Sequence, residues 1–173
     1  MRTPHQLPSV EQIDLLPGPV VGVVTDEFID MNGHMNVLHY LDWGSRGAEA
    51  LVEHAGIDDA YRATRRMGLF TVEHHLAYYG ELRRGDTFSV HARVLERSDK
   101  VLHLMTFLVD RSANRLANTL EILLVHVDLE TRRAIGLPAD IAAAFDTDIA
   151  RSRRLDWSAP VCGAIGIRRQ VSA

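Results

Sequence analysis

The sequence predicts an α+β fold in which an antiparallel sheet of about five strands wraps around one long helix. Three observations lead to this prediction. A stretch of about nineteen residues from Val37 has helical periodicity, a short valine-rich segment precedes it, and four long segments with strand character follow it. One strand, one helix and four successive strands are the elements that an antiparallel sheet needs to enclose a single helix.

The composition is that of one soluble globular domain. The chain has 173 residues, of which 46% are hydrophobic, and a formal net charge of -4, which argues against a nucleic-acid partner. The single cysteine, Cys162, excludes an internal disulfide and a cysteine-based zinc cluster, which favours a reducing compartment. No apolar run approaches the roughly 18 residues of a membrane span, and residues 1–14 lack the apolar core of a secretory signal. We therefore expect a cytoplasmic protein with no membrane partner.

The chain divides into three parts. Residues 1–19 contain four of the six prolines, so we expect an extended lead-in rather than a helix. Residues 20–150 form the predicted domain, which begins with a β-branched strand from Val20 to Val24. Residues 151–173 are rich in arginine and are predicted to form a basic tail.

The long helix is predicted from Val37 to about Ala55, with Gly56 placed to end it. Gly44 and Gly47 lower its intrinsic helix propensity, and close packing against the sheet is the compensation that we expect. Apolar or small residues recur along one stripe at positions 37, 41, 44, 48, 51, 52 and 55.

After a short helix or turn over residues 61–66, the period changes to two. One strand face is predicted to carry Phe70, Val72, His74, Leu76 and Tyr78, and the other to carry Thr71, Glu73, His75, Ala77 and Tyr79. A turn at residues 83–86 and a half-buried strand over residues 88–94 follow. Because His74 and His75 are neighbours on a strand, they point to opposite faces and do not suggest a shared metal ion.

Two more strands are predicted over residues 101–110 and 116–128, and a closing helix over residues 138–145. Both strands are apolar on both faces, so one face should meet the helix and the other a second layer or a partner subunit. Long exposed sheet edges also favour pairing with a second copy. We expect a homodimer or a dimer of dimers.

The segment from Asp26 to Tyr40 concentrates the chemistry. Asp30 lies four residues before His34, Gly33 supplies a turn between them, and Asn36 is a good helix N-cap. This places a carboxylate in the loop that feeds the N-terminus of the long helix.

The sequence Asp30-Met31-Asn32-Gly33-His34-Met35-Asn36 resembles the DxxGHxN loop of the hotdog-fold thioesterases, in particular the 4-hydroxybenzoyl-CoA thioesterase-like group. The order of elements agrees over residues 20–128. A closer similarity is to the betainyl-CoA thioesterases of carnitine breakdown, through residues 71–73, 85–86 and 123–128. Those relatives tend to carry tryptophan where this chain has Phe28 and tyrosine where it has Met31, so the acyl site differs.

The resemblance implies hydrolysis of a small acyl-CoA, with betainyl-CoA as one candidate, and without a metal or organic cofactor; coenzyme A enters only as part of the substrate. Asp30 would act as nucleophile or general base, and backbone N–H groups near His34 would polarise the carbonyl. The His34 side chain would orient Asp30 or substrate, or make a structural hydrogen bond. Asn36 is a cap or a helper in catalysis, and Glu73 is a second acid from across a dimer or a surface carboxylate.

The same resemblance suggests binding residues. The residues assigned to the acyl site are Phe28, Met31, Gly33, Met35, Tyr40 and Trp43. Aromatic faces at Tyr40, Trp43, Phe70 and Tyr78 would suit a quaternary ammonium group, although the same residues suit a core. Cations for the coenzyme A phosphates are assigned to Arg83, Arg84 and Lys100, with Arg65 and Arg66 as further sources.

Two other functions remain open at this point. Enoyl-CoA hydratases of the same fold have a loop resembling DxNPxH; here Asn32 is in register, but Gly33 replaces the proline and His34 comes one position early. A non-catalytic acyl-CoA-binding module is the second alternative. The absence of a helix-turn-helix pattern before the first strand and the negative net charge disfavour a regulator of that kind.

Overall fold

The computed structural model describes residues 7–167 of the chain. The strands are β1 (Val20–Val23), β2 (Met67–Tyr78), β3 (Thr87–Arg97), β4 (Val101–Asp110) and β5 (Arg115–Asp128). The helices are α1 (Val10–Ile13), α2 (Val37–His54), α3 (Asp59–Arg65) and α4 (Ala139–Ser152), with a 3-10 turn at Asp26–Phe28. The strands form one antiparallel sheet in the order β1-β3-β4-β5-β2.

Helix α2 lies directly against one face of this sheet. A Cβ added to Gly47 would lie 2.5 Å from a Val90 methyl carbon, and one added to Gly44 would lie 2.8 Å from a Leu120 methyl carbon. The close approach predicted from these two glycines is therefore confirmed. Buried leucines and isoleucines of β4 and β5 fill the interface together with α2 and α4.

The opposite face of the sheet is covered in part by a second layer of the same chain. Val10 and Ile13 of α1 and the later Trp157 pack against Phe107 and its neighbours on β4. Strands β4 and β5 are accordingly buried over most of their length, as their two apolar faces predicted.

The N-terminal lead-in contains a helix, contrary to the extended structure expected from its prolines. The hydroxyl of Ser9 accepts a hydrogen bond from the Gln12 backbone N–H, and the Gln12 side chain accepts from the Ser9 N–H, which forms a capping box. Burial of Val10 and Ile13 then stabilises the single turn. None of the prolines falls inside it.

The C-terminal segment also departs from the prediction. Helix α4 continues to Ser152, seven residues beyond the predicted end. Trp157 and Ala159, from the segment expected to be a basic tail, are buried against the sheet. Arg168 and Arg169 of that predicted tail lie outside the described residues.

Strand β2 contains a β-bulge that changes which residues share a face. Thr71 pairs with Leu124 and Glu73 pairs with the adjacent Leu123, so Val72 has no partner across the strand pair. The predicted face that joined Phe70 and Val72 to His74 is therefore wrong, because the alternation changes phase at the bulge. His74 faces the α2 side, opposite Ile122, whereas Glu73 and His75 lie on the other face.

One end of the sheet assembles the loop segments that matter for function. The pairing of the strands places five strand termini at this end: the last residues of β1, β2 and β4 and the first residues of β3 and β5. The N-terminus of α2 reaches the same end, where Tyr40 contacts residues 80–82. At the sides, β1 and β2 are the edge strands. Within residues 7–167, none of the helices combines the length and apolar character needed to cross a lipid bilayer.

Candidate functional site

The loop before α2 is a small hairpin. Ile29 and Met35 form an antiparallel bridge, and the Asn36 N–H donates to the Phe28 carbonyl at 2.8 Å. Gly33 closes the turn with φ +80°, a conformation that favours glycine. The Met35 N–H donates to the carbonyl of Leu82 at 2.8 Å, which anchors the hairpin to the turn before β3.

Asp30 is held inside this hairpin. One carboxylate oxygen, Oδ1, accepts the Asn32 N–H at 2.8 Å and lies 3.7 Å from His34 Nδ1. The other, Oδ2, makes a long contact of 3.5 Å with the Asn32 side-chain nitrogen. The side chain of Asp30 is 16% exposed. Asp30 thus caps its turn with one oxygen and keeps the second oxygen available, so the two roles considered for it are compatible.

Backbone donors at the N-terminus of α2 are fewer than the sequence suggested. The Met35 and Asn36 N–H groups are used by Leu82 and Phe28. Among the described residues, the N–H groups of His34 and Val37 have no acceptor. Both lie at the positive end of the helix dipole, where a developing negative charge is stabilised. The side chain of His34 lies 3.3 Å, through Nδ1, from the Met35 carbonyl, which can only accept a hydrogen bond.

Asn36 is the N-cap of α2. Its side-chain oxygen accepts the Leu38 N–H at 2.9 Å, and its backbone is extended at φ -63° and ψ 144°. The structural role considered for this residue is therefore present in the fold.

Tyr40 and Met35 belong to the core. Met35 is 1% exposed, and Tyr40 is 3% exposed. The Tyr40 hydroxyl accepts the Leu82 N–H at 3.0 Å and lies 3.4 Å from the Gly80 carbonyl. Burial raises the pKa of Tyr40, and the Leu82 hydrogen bond opposes that shift. Neither side chain is open to a substrate in the single chain, contrary to their assignment to the acyl site, because both close the core beneath the loop.

An aromatic cluster lies beside the N-terminal turns of α2. The rings of Phe28 and His39 stack with centroids 4.2 Å apart, and Phe28 meets Trp43 edge-on at 6.5 Å. Trp43 packs edge-on against Phe88 at 4.8 Å, and the Arg46 guanidinium lies 5.0 Å from the Trp43 ring centre. His39 was not among the residues predicted for the site, although His39 and Trp43 are four residues apart and so share a helix face.

Two loop residues assigned to the acyl site are open to solvent. Met31 is 99% exposed at the tip of the hairpin, and the adjacent turn glycine, Gly33, is also exposed.

The predicted phosphate-binding cations separate into two groups. Arg83 and Arg84 lie at the loop end of the sheet, paired with Glu81 at 2.6 Å and Asp26 at 2.8 Å. The hydrogen bond from Arg83 lowers the pKa of Glu81. Lys100 follows the far end of the eleven-residue strand β3, roughly 30 Å away at about 3.3 Å per residue. Within one chain, Lys100 therefore cannot serve the same coenzyme A as Arg83 and Arg84.

Three further arginines lie at the two ends of the sheet. Arg65 and Arg66, which directly precede β2, lie at the same end as Lys100 and pair with Asp140 and Glu130. Arg115, which was not among the predicted cations, lies at the loop end and donates to the Glu81 carbonyl at 2.9 Å.

Glu73 does not join the loop within one chain. It is exposed on the edge strand β2, on the face opposite α2. Among the described residues, no hydrogen bond or ion pair connects it to residues 26–40.

Comparison with known proteins identifies the relatives of this chain. The model of the Thioesterase-like superfamily matches residues 23–145. A betainyl-CoA thioesterase of Pseudomonas aeruginosa is 28% identical over 144 residues, which are 83% of this chain and 91% of that protein. An L-carnitine dehydrogenase/betainyl-CoA thioesterase of Agrobacterium fabrum is 32% identical over 123 residues, 71% of this chain. The chain spans only 25% of that longer protein.

Among solved structures, a Staphylococcus aureus protein in complex with CoA superimposes with a TM-score of 0.78 and 27% identity. The match covers 87% of this chain and 94% of the other. This agreement confirms the hotdog architecture predicted from the order of elements and from the loop.

Proposed function

The chain belongs to the Thioesterase-like superfamily, and on that premise we propose that it hydrolyses a small acyl-CoA to the free acid and CoA. The observation that carries the proposal is the position of Asp30. Its carboxylate lies beside the N–H groups of His34 and Val37, which have no acceptor among residues 7–167. Hydrolysis of a thioester requires a nucleophile that attacks the carbonyl carbon and hydrogen-bond donors that stabilise the resulting oxyanion.

Asp30 supplies the attacking group in one of two ways. As a general base, Oδ2 takes a proton from water while the water oxygen bonds to the carbonyl carbon. As a nucleophile, Oδ2 bonds to that carbon itself and forms an anhydride that water then cleaves. In both routes the carbon–sulfur bond breaks and CoA leaves with its sulfur, which is finally protonated. The Asn32 N–H holds Oδ1 and thereby fixes the direction of Oδ2.

The N-terminus of α2 supports the oxyanion. The N–H groups of His34 and Val37 find no acceptor in the described part of the chain and are available to it. Removal of one such donor in other acyl-transfer sites typically costs about 10²–10³ in kcat.

The acyl group that we propose is small, with betainyl as one candidate. Betainyl-CoA thioesterases are among the relatives, and Phe28 and His39 offer a stacked aromatic pair beside the loop. Aromatic faces bind quaternary ammonium groups. Trp43 already contacts Phe28, Phe88 and Arg46, so it is the weaker candidate for that contact.

For the coenzyme A phosphates, Arg83 and Arg84 are the candidates near the loop. Each is paired with an exposed carboxylate. Phosphate binding would therefore exchange an intramolecular ion pair for a charge-assisted contact with the ligand.

We also propose that the active form is a homodimer or a dimer of dimers. Residues 71–75 of the edge strand β2 are all exposed, and Val72 is 58% exposed. Such an edge is suited to pairing with a second copy. Glu73 would then be available to a site on the partner rather than to its own loop.

A panel of betainyl-, benzoyl-type and fatty acyl-CoAs, assayed by release of free thiol, tests the activity. Asp30→Asn is expected to lower kcat/KM for the preferred substrate by about 10²–10⁴. Glu27→Gln is the matched control, because Glu27 is an exposed carboxylate three residues earlier in the loop. Full activity of Asp30→Asn would refute the mechanism, whereas tight binding of acyl-CoA without turnover across the panel would indicate a binding module.

A further inference from the structure

A cluster of three unlike side chains lies on the face of the sheet opposite α2. His75 of β2 and Glu121 of β5 are direct partners in the register of the two strands, so their side chains lie side by side. Cys162 reaches the same point from the segment that follows Trp157. A ring nitrogen of His75, a carboxylate oxygen of Glu121 and the Cys162 sulfur all lie within 4.8 Å of one another.

Glu121 is the buried centre of the cluster, with 0% of its surface exposed. One of its oxygens accepts from His103 Nε2 at 2.8 Å, and the other accepts from the Cys162 N–H at 2.7 Å. Since a carboxylate has about four lone-pair sites, the two bonds leave acceptor capacity for a further ligand.

The residues around the cluster resemble the outer shell of a metal site. His103 holds the Glu121 carboxylate, and the other ring nitrogen of His103 lies 3.5 Å from Glu96. The Ala164 N–H lies 3.3 Å from the Cys162 sulfur, where it would stabilise a thiolate. Metal-binding side chains are commonly oriented by hydrogen bonds of this kind.

We propose that His75, Glu121 and Cys162 bind a divalent transition-metal ion such as Zn²⁺, with water as the fourth ligand. Imidazole nitrogen, carboxylate oxygen and thiolate sulfur are the donor types that Zn²⁺ takes, whereas Mg²⁺ and Ca²⁺ prefer oxygen ligands alone. On binding, the Cys162 thiol loses its proton to solvent and a metal–sulfur bond forms.

The bound ion would connect three separate parts of the chain: the edge strand β2, the inner strand β5 and the C-terminal segment. Within one chain the ion would lie on the sheet face opposite α2, whereas Asp30 lies in the loop that precedes α2. The sequence prediction of no metal considered His74 and His75 as a pair. The structure places His74 and His75 on opposite faces of β2. It brings His75 close to Glu121 and Cys162 instead.

Titration of the reduced, untagged protein with Co²⁺ tests the site. Because Cys162 is the single cysteine of the chain, a near-ultraviolet thiolate-to-cobalt charge-transfer band identifies binding at this position. We expect the band to saturate at one Co²⁺ per chain and to disappear when Zn²⁺ is added. Cys162→Ser should abolish the band, and His75→Ala should weaken Co²⁺ binding at least about tenfold.

His74→Ala is the matched control, since His74 is the exposed neighbour on the other face of β2. It should bind Co²⁺ as the wild type does. Zn²⁺ should also raise the unfolding temperature of the wild type but not that of Cys162→Ser, because ligand binding to the native state stabilises it. Saturation with Co²⁺ without the band, or an unchanged affinity in His75→Ala, would overturn the proposal.

Discussion

The hydroxyl of Tyr40 accepts the backbone N–H of Leu82 at 3.0 Å, which ties the second turn of α2 to the turn before β3. The carbonyl of the same Leu82 accepts the N–H of Met35, inside the catalytic hairpin proposed above. Tyr40 therefore contacts the loop through Leu82, and we predict that it positions the loop rather than contacting substrate.

Replacement of Tyr40 by phenylalanine should weaken both stability and turnover. Leu82 is 0% exposed, so its N–H would lose its acceptor without access to water. We expect the free energy of unfolding to fall by about 1–3 kcal/mol, and kcat to fall more than KM rises. Urea unfolding and steady-state kinetics measure the two effects. Tyr79→Phe is the control, because Tyr79 is 38% exposed and water can replace its contact with Thr119; equal losses in both variants would contradict the assignment.

Asn36→Ala should lower the free energy of unfolding by about 1 kcal/mol, because the Leu38 N–H loses its cap. Asn36→Ser restores a capping oxygen and should recover most of this loss. If capping is the whole role of Asn36, thioesterase activity should recover in parallel with stability. A serine variant that is stable but inactive would instead show a direct part in catalysis.

Gly47→Ala should destabilise the protein although alanine is the better helix former. The added methyl would lie 2.5 Å from a Val90 methyl carbon, and overpacking of this kind costs about 1–3 kcal/mol. Ser45→Ala, at an exposed position of the same helix, controls for propensity and should be neutral or stabilising. A double variant with Val90→Ala should relieve part of the clash, measured as a coupling energy in urea unfolding. Strict additivity of the two changes would be evidence against the contact.

The buried His126 should make stability depend on pH. His126 is 0% exposed, and burial lowers its pKa, although hydrogen bonds to backbone carbonyls oppose the shift. Below the ordinary value of about 6.5, the unfolded chain binds a proton that the folded chain does not. Stability should thus be complete above about pH 6.5 and decline as the pH falls from there towards the folded pKa.

Urea unfolding of wild type and His126→Gln at several pH values between 5 and 8 tests this prediction. The variant should lose part of the decline below pH 6.5 and differ from the wild type by a constant amount above pH 7. The hydrogen bond between His126 and Tyr61, 2.7 Å long, also changes in the variant, which is why the slope rather than the absolute stability is the readout. Parallel curves throughout would contradict a depressed pKa.

The elements that could be predicted from the sequence are those whose signal is local. Helix α2 was predicted from Val37 because its stripe and its cap lie within one segment, and strand β4 was predicted at its observed bounds. The single turn of α1 was not predicted, because the prolines of residues 1–19 favour extended structure and the capping box of Ser9 and Gln12 is a weaker local signal. The burial of Trp157 depends on a contact with distant β4, which no local pattern reports.

The candidate site shows the same division. The proximity of Asp30, His34 and Asn36 could be predicted because one short loop contains them; their catalytic roles stay predictions. Lys100 does not lie near Arg83 and Arg84 within one chain, because proximity to a turn does not say at which end of the sheet that turn lies. The grouping of His75 with Glu121 and Cys162 requires the strand register and the return of the C-terminal segment, both of which are long-range features.

The bulge at Val72 is a position at which β2 could lose one residue without a change in its pairing to β5. Because the cross-strand partners of Thr71 and Glu73 are adjacent residues on β5, loss of residue 72 would leave an uninterrupted ladder. Every other side chain of β2 would keep its present side of the sheet, and only the additional local twist would be lost. A deletion of Val72 would therefore shorten β2 by one residue while it preserves the same inward and outward sets of side chains.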